Sequence, residues 1–201
     1  MNNIDNLFIN YPNLTEVKFA IIEAFNILLE CYKSGGKVLV CGNGGSASDA
    51  EHITGELMKS FKKKRSLPIE LKDSLGQYLY NNLEGALSCI SLVSQTSLIT
   101  AFSNDKCADL VFAQEVLGYG KPNDVLLANS TSGNSENVIN AVMVAKALGL
   151  KVIGLTRKGE HKLLSLVDVC IGVPKEETYQ IQELHLPIYH ALCAELEEVL
   201  F

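Results

Sequence analysis

The stretch VLVCGNGGSASDAEHITGE, residues 38–56, decides how the rest of the chain is read. Val38-Leu39-Val40-Cys41 is too short for a helix and rich in β-branched residues, which predicts a buried parallel strand. Gly42-Asn43-Gly44-Gly45-Ser46 follows, and its glycines let the backbone turn sharply and approach a ligand closely. Ser46 or Ser48 is then placed to cap a helix with Asp49 in its first turn. Strand, Gly-rich turn and helix start together make an anion site, because several backbone N–H groups point at one spot. His52 and Glu56 lie four apart on that helix and share a face. This pattern points to a phosphate-sized nest with an acid/base or metal-binding pair further along, as a sugar-phosphate site requires. A surface ion pair is the plainer reading of the histidine and glutamate alone.

Composition narrows the class. The chain has 201 residues, suited to one α/β domain, and 47% are hydrophobic, which excludes overall disorder. A net charge of −6 argues against a general nucleic-acid binder. No apolar run reaches the roughly 18 residues of a membrane span, and the N-terminus lacks the basic start and apolar core of a signal peptide. The six cysteines show no CxxC spacing and several lie in apolar runs. Reduced thiols in a cytoplasmic protein are expected.

Outward from the opening stretch, strands and helices alternate. A helix is expected from Asn13 or Thr15 to the Gly35-Gly36 stop. Further strands are expected at 86–92, 125–128, 151–155 and 169–173, with helices at 96–101, 108–117, 135–148, near 162–166, and 177–201. Residues 60–85 resist assignment. Their basic run, Lys62-Lys63-Lys64-Arg65, reads ordinarily as a solvated surface and alternatively as phosphate steering. Alternation of this kind predicts a mostly parallel sheet whose ligands bind beyond the strand C-termini. Gly42–Ala47 fits the loose dinucleotide fingerprint, but basic residues stand where an acidic one is wanted about 20 residues on. No GxxxxGK[ST] is present, which argues against P-loop chemistry.

The second polar loop, Ser130-Thr131-Ser132-Gly133-Asn134-Ser135, sits at another strand end and should open on the same edge. Its four hydroxyls exceed the single one that an ordinary capped turn needs. On the last helix, Gln182 and His190 are about two turns apart and can reach one side. Asp105 falls at a helix end, where capping competes with function.

CGNGGSASDAEH, NSTSGNSENVI and IQELHLPIYH, in this order, resemble the SIS (sugar isomerase) domain of the bacterial phosphoheptose isomerase family. The resemblance covers nearly the whole chain. It implies a single SIS domain over 1–201, a three-layer αβα, flavodoxin-like sandwich with a five-stranded parallel sheet. It implies an aldose–ketose isomerase of sedoheptulose 7-phosphate, a homotetramer with sites between subunits and no nucleic-acid or membrane partner. Family zinc ligands fall on His52, Glu56, Gln182 and His190, and the catalytic pair on Glu56 and His190. Phosphate contacts fall on Ser130, Thr131, Ser132 and Ser135, and sugar contacts on Asn43, Gly44, Gly45, Ser46, Asp105 and Gln182. Two departures stand out. Ser60 replaces a family arginine, with Lys59 or the basic run as candidate substitutes. Residues 66–86 form an insertion that can reshape the sugar pocket toward a different phosphosugar. SIS relatives also include a non-catalytic protein that binds the replication initiator and modules that sense phosphosugars. The presence of both Glu56 and His190 favours the enzyme.

Overall fold

The computed structural model describes residues 2–201. In chain order the elements are α1 (Asn3–Asn10), α2 (Lys18–Lys33), β1 (Val38–Cys41), α3 (Gly45–Met58), α4 (Lys72–Asn82), β2 (Cys89–Ser91), α5 (Thr96–Asp105), α6 (Val111–Tyr119), β3 (Val125–Asn129), α7 (Glu136–Ala147), β4 (Lys151–Arg157), β5 (Val169–Val173) and α8 (Thr178–Leu200). The five strands pair in parallel in the order β2-β1-β3-β4-β5, the flavodoxin-like order expected from the resemblance. Side chains alternate across the sheet and feed two apolar cores. Val38, Val40, Val125, Leu127 and Leu155 pack under α2, α3 and α8. Leu39, Cys41, Leu126, Ala128 and Val152 pack against α6 and α7. The strand order reverses at the β1/β3 boundary, which brings the β1–α3 and β3–α7 loops side by side at the strand C-termini.

Several expected boundaries shift, each for a local reason. α1 precedes the first helix expected from the sequence, and Asn2 caps it by accepting from the Asp5 N–H at 2.7 Å. The helix expected from Asn13 or Thr15 begins at Lys18, because a 3₁₀ segment fills Pro12–Val17. α3 begins at Gly45, ahead of both serines offered as caps. Gly44 holds the N-cap with φ 57°, a left-handed conformation that suits glycine, and no side chain caps the helix. The strand expected over 86–92 is confined to Cys89–Ser91. α4, in the unassigned region, has no buried residue and breaks its helical dihedrals at Gly76.

The basic run divides: Lys62 and Lys64 are exposed and Lys63 is half-buried, as on a solvated face, but its last residue is not. Arg65 is fully buried, while Glu197 on α8 is 1% exposed. Arg65 Nε donates to Glu197 Oε1 at 2.8 Å. Its two terminal nitrogens donate to the backbone carbonyls of Leu57 and Glu56, the last turn of α3. The Glu197 carboxylate also accepts the N–H groups of Phe61, Lys62 and Lys63. Burial alone would push its acidity down, but these donors together with Arg65 more than offset that and hold its pKa below the ordinary value.

Glu115 on α6 is 1% exposed, and neither carboxyl oxygen has a hydrogen-bond partner. Burial raises its pKa to about 8, so the folded protein holds this acid protonated at neutrality. The unfolded chain releases the proton near the ordinary value of 4.5. The group therefore withdraws stability as pH rises from 4.5 through about 8, by up to about 1.4 kcal/mol per pH unit. Buried His185, lowered to about 4, acts in the opposite sense and withdraws stability as pH falls below 6.5. Urea titrations of Glu115→Gln at pH 5 and pH 8 should show a smaller loss between the two than the wild type shows. An equal loss in both proteins would remove Glu115 as its source.

Candidate active site

Two helices carry the candidate chemistry. α3 and α8 run side by side in the same direction: Gly45 lies against Gln182, and seven residues later His52 lies against Tyr189 and His190. A Cβ built on Gly45 would come within 2.5 Å of the Gln182 amide nitrogen, so glycine there permits the close approach of the two helix starts.

His52 and Glu56 share a helix face, as their spacing anticipates, and His190 joins them, as the family resemblance implies. His52 Nε2 is 3.3 Å from Glu56 Oε1 and 3.5 Å from His190 Nε2. The two imidazoles meet edge to face with centroids 5.0 Å apart, and the Phe61 ring lies tilted to the His190 ring at 5.4 Å. Burial, and then the neighbouring His52, lower the His190 pKa and keep its ring neutral at pH 7, with Glu56 acting weakly the other way. Lys59 Nζ stands 3.5 Å from Glu56 Oε2 and also meets the Ser60 carbonyl. Arg65 fixes the backbone carbonyl of Glu56 itself. The positive charge near Glu56 thus comes from Lys59, whereas Arg65 of the run is consumed structurally.

The donor set suits a divalent ion. Around a tetrahedral zinc with bonds of about 2.0–2.1 Å, neighbouring ligand atoms are about 3.3–3.4 Å apart. The two spacings at His52 Nε2 are close to this. Among the described residues, no three His, Cys, Asp or Glu side chains yet close into a metal-holding group. Gln182 rests over Gly45. Glu56 and Gln182 would therefore turn inward to complete such a site.

At the switch point, the serine loop is tightly built. Ser130 is buried, accepts the Gly133 N–H at 3.1 Å and meets the Ser135 hydroxyl at 3.1 Å. Ser132 is exposed and accepts from Asn134 N–H, while Thr131 is half-buried. Two of the serines thus shape the loop, and Thr131 and Ser132 face outward. Neither α7 nor α3 has a side-chain N-cap. At α3 the Ser46 and Ala47 N–H groups donate to the Asn43 and Gly44 carbonyls, and at α7 the Val138 N–H donates to Asn137 Oδ1. The N–H groups of Gly45, Glu136 and Asn137 are therefore the ones left for an anion. Asn43 and Asn137 exchange reciprocal side-chain hydrogen bonds at 2.9 Å and tie the two loops together. Asn137 was not singled out from the sequence; its place in the first turn after the serine loop was the available signal. Ser46 is buried within the first turn of α3. Asp105 ends α5, exposed, with Asn104 donating to its carboxylate. Within one chain it is not joined to the other site residues.

A groove of about 390 Å³ runs between α1 and α8, bordered by Asn3, Asn10, Phe61, Lys62 and His190. It touches the cluster at His190 but includes none of the serine-loop residues. Among the described residues, no helix is long and apolar enough to cross a membrane.

Comparison with known proteins finds relatives over most of the chain. The SIS domain family model matches residues 13–86 and 85–157. A phosphoheptose isomerase of Rhodospirillum rubrum is 40% identical over 181 residues, covering 90% of this chain and 86% of that protein. One of Nitratiruptor is 42% identical over 184 residues, covering 91% and 88%. The structure of phosphoheptose isomerase from Neisseria gonorrhoeae superposes with a TM-score of 0.76 at 34% identity, over 90% of this chain and 87% of that one. That from Francisella tularensis gives 0.76 at 31%, over 98% and 100%.

Proposed function

We propose that this chain, which belongs to the SIS-domain phosphoheptose isomerase family, interconverts sedoheptulose 7-phosphate and a D-glycero-manno-heptose 7-phosphate through an enediol. The observation that carries the reading is the placement of a carboxylate and a neutral imidazole one helix stretch away from an anion nest. Eight residues separate Gln182, at the nest, from His190, a rise of about 12 Å at about 1.5 Å per residue. An extended seven-carbon chain with its phosphate measures roughly 10 Å, from eight zigzag bonds of about 1.5 Å. The phosphate would lie at Thr131, Ser132 and the helix starts, with C1 and C2 beside Glu56 and His190.

In the ketose-to-aldose direction, the Glu56 carboxylate takes a proton from C1 and returns it to C2. His190 carries the hydroxyl proton from O1 to O2, so both residues end as they began. Zinc held by His52, Glu56, Gln182 and His190 would supply positive charge for the two sugar oxygens. Glu56 serves as base once it turns from that set toward C1. The His52 side chain is 43% exposed, so one chain leaves the cluster open. A homotetramer in the cytoplasm, with a neighbouring subunit walling the site, completes the reading.

A panel of C5, C6 and C7 ketose phosphates, assayed with metal-stripped and zinc-restored protein, tests it. Turnover is expected with the C7 substrate and should rise on zinc addition, in protein that sediments as a tetramer at micromolar concentration. Inactivity on every sugar phosphate would reject the isomerase, and a stable, active monomer would reject the shared site.

A further inference from the structure

Tyr189 immediately precedes His190 on α8, and its side chain is almost wholly enclosed, at 1% exposure. Its hydroxyl lies 3.0 Å from His52 Nδ1 and 3.2 Å from Asp49 Oδ1. Three polar groups from two helices therefore meet at one oxygen. A tyrosine hydroxyl has one proton to give and lone pairs to accept with. An ionised carboxylate only accepts. The proton of Tyr189 therefore lies toward Asp49, and the oxygen's lone pair is left for an N–H from His52. The opposite direction would leave Asp49 and Tyr189 with no proton between them at 3.2 Å and no other donor on that oxygen pair. The chosen direction leaves the unprotonated contact at His52 Nε2 and Glu56 Oε1, 3.3 Å apart, where the His190 Nε2–H at 3.5 Å can donate to the bare nitrogen.

We propose that Tyr189 is a positioning residue: with Asp49 behind it, it fixes His52 as the Nδ1–H tautomer and so turns a bare Nε2 lone pair toward Glu56 and His190. The proposal rests on the reading of His52, Glu56 and His190 as the reacting cluster. It adds a residue that neither the loop motifs nor the helical spacing signalled. The partner of one ring nitrogen sets what the other can do. With Nδ1 committed, Nε2 stands 3.3 Å from a carboxylate oxygen without a proton of its own. Such a pair accommodates a divalent cation, or a hydroxyl proton of the substrate, between its members. An Nε2–H tautomer would instead donate to Glu56 and block both.

The test uses full-length, metal-free protein labelled with ¹⁵N in its histidines, of which there are four. Long-range ¹H–¹⁵N ring spectra at neutral pH distinguish the two tautomers, and His52→Gln identifies the His52 signals by difference. The wild type should show His52 as Nδ1–H. Tyr189→Phe, which keeps the ring packing, should move it toward Nε2–H and weaken zinc binding about 10- to 100-fold in chelator competition. Asp49→Asn provides a second route to the same tautomer change if the phenylalanine variant folds poorly. An Nε2–H signal in the wild type, or an Nδ1–H signal unchanged in both variants, would overturn the proposal. These spectra need no substrate. An active enzyme with the wrong tautomer sinks this inference alone, whereas the expected tautomer in a protein inactive on all sugar phosphates sinks the functional reading alone.

Discussion

Glu56→Gln is expected to lower turnover on the C7 substrate by about 10² to 10⁴, the usual contribution of a positioned acid or base. The amide keeps the shape of the side chain and can still meet His52, now 3.3 Å from its oxygen. What it loses is the capacity to hold the carbon-bound proton between C1 and C2. Since that proton is moved only in the chemical step, the loss should fall on kcat and leave KM largely in place. His190→Asn should show a loss of the same order, because the hydroxyl proton then lacks its carrier. The two effects should not add, since both residues serve one proton-transfer unit. Steady-state kinetics, with circular dichroism to check folding, decide the matter. Turnover near that of the wild type in either variant would remove that residue from the mechanism.

Arg65→Met should be the costliest single change in stability, about 3–5 kcal/mol, the range for removing one partner of a buried ion pair. The side chain binds three acceptors at once: the Glu197 carboxylate and the carbonyls of Glu56 and Leu57. Without it, a carboxylate that is 1% exposed keeps its backbone donors but loses its counter-charge. Lys64→Met, one residue earlier and exposed, should stay within about 0.5 kcal/mol of the wild type. Urea unfolding of the two variants side by side checks this. Equal, small losses would mean that the run is the solvated face its composition suggests.

That contrast shows where sequence reading reaches its limit. The β1 stretch and the serine loop were legible because strand period, turn chemistry and helix start all act within a few residues of each other. The convergence of His52 with Glu56 followed from helical spacing alone, and its convergence with His190 from the family resemblance. Arg65 was not legible as a buried residue, because its partner lies 132 positions away and four consecutive basic residues look alike in sequence. Tyr189 was hidden for a similar reason: an aromatic on an apolar helix face reads as core, and its hydroxyl acquires a role only when α3 lies alongside. The start of α3 was misplaced because serines are the better caps by local preference, whereas this helix leaves its start uncapped at Gly44.

The segment between Arg65 and Gly85 has a consequence for how proteins of this kind diversify. Its two ends are joined by a hydrogen bond from Gly85 N–H to the Arg65 carbonyl, 2.9 Å long. No residue from 66 to 84 is buried. Selection can therefore lengthen, shorten or rewrite this cassette without asking anything of the two cores. Yet its last residue, Glu84, accepts the backbone N–H of Ser60, four positions from Glu56. Variation that is free for the fold is thus delivered to the doorstep of the candidate pair, where a rewritten loop would be felt first by whatever that pair holds.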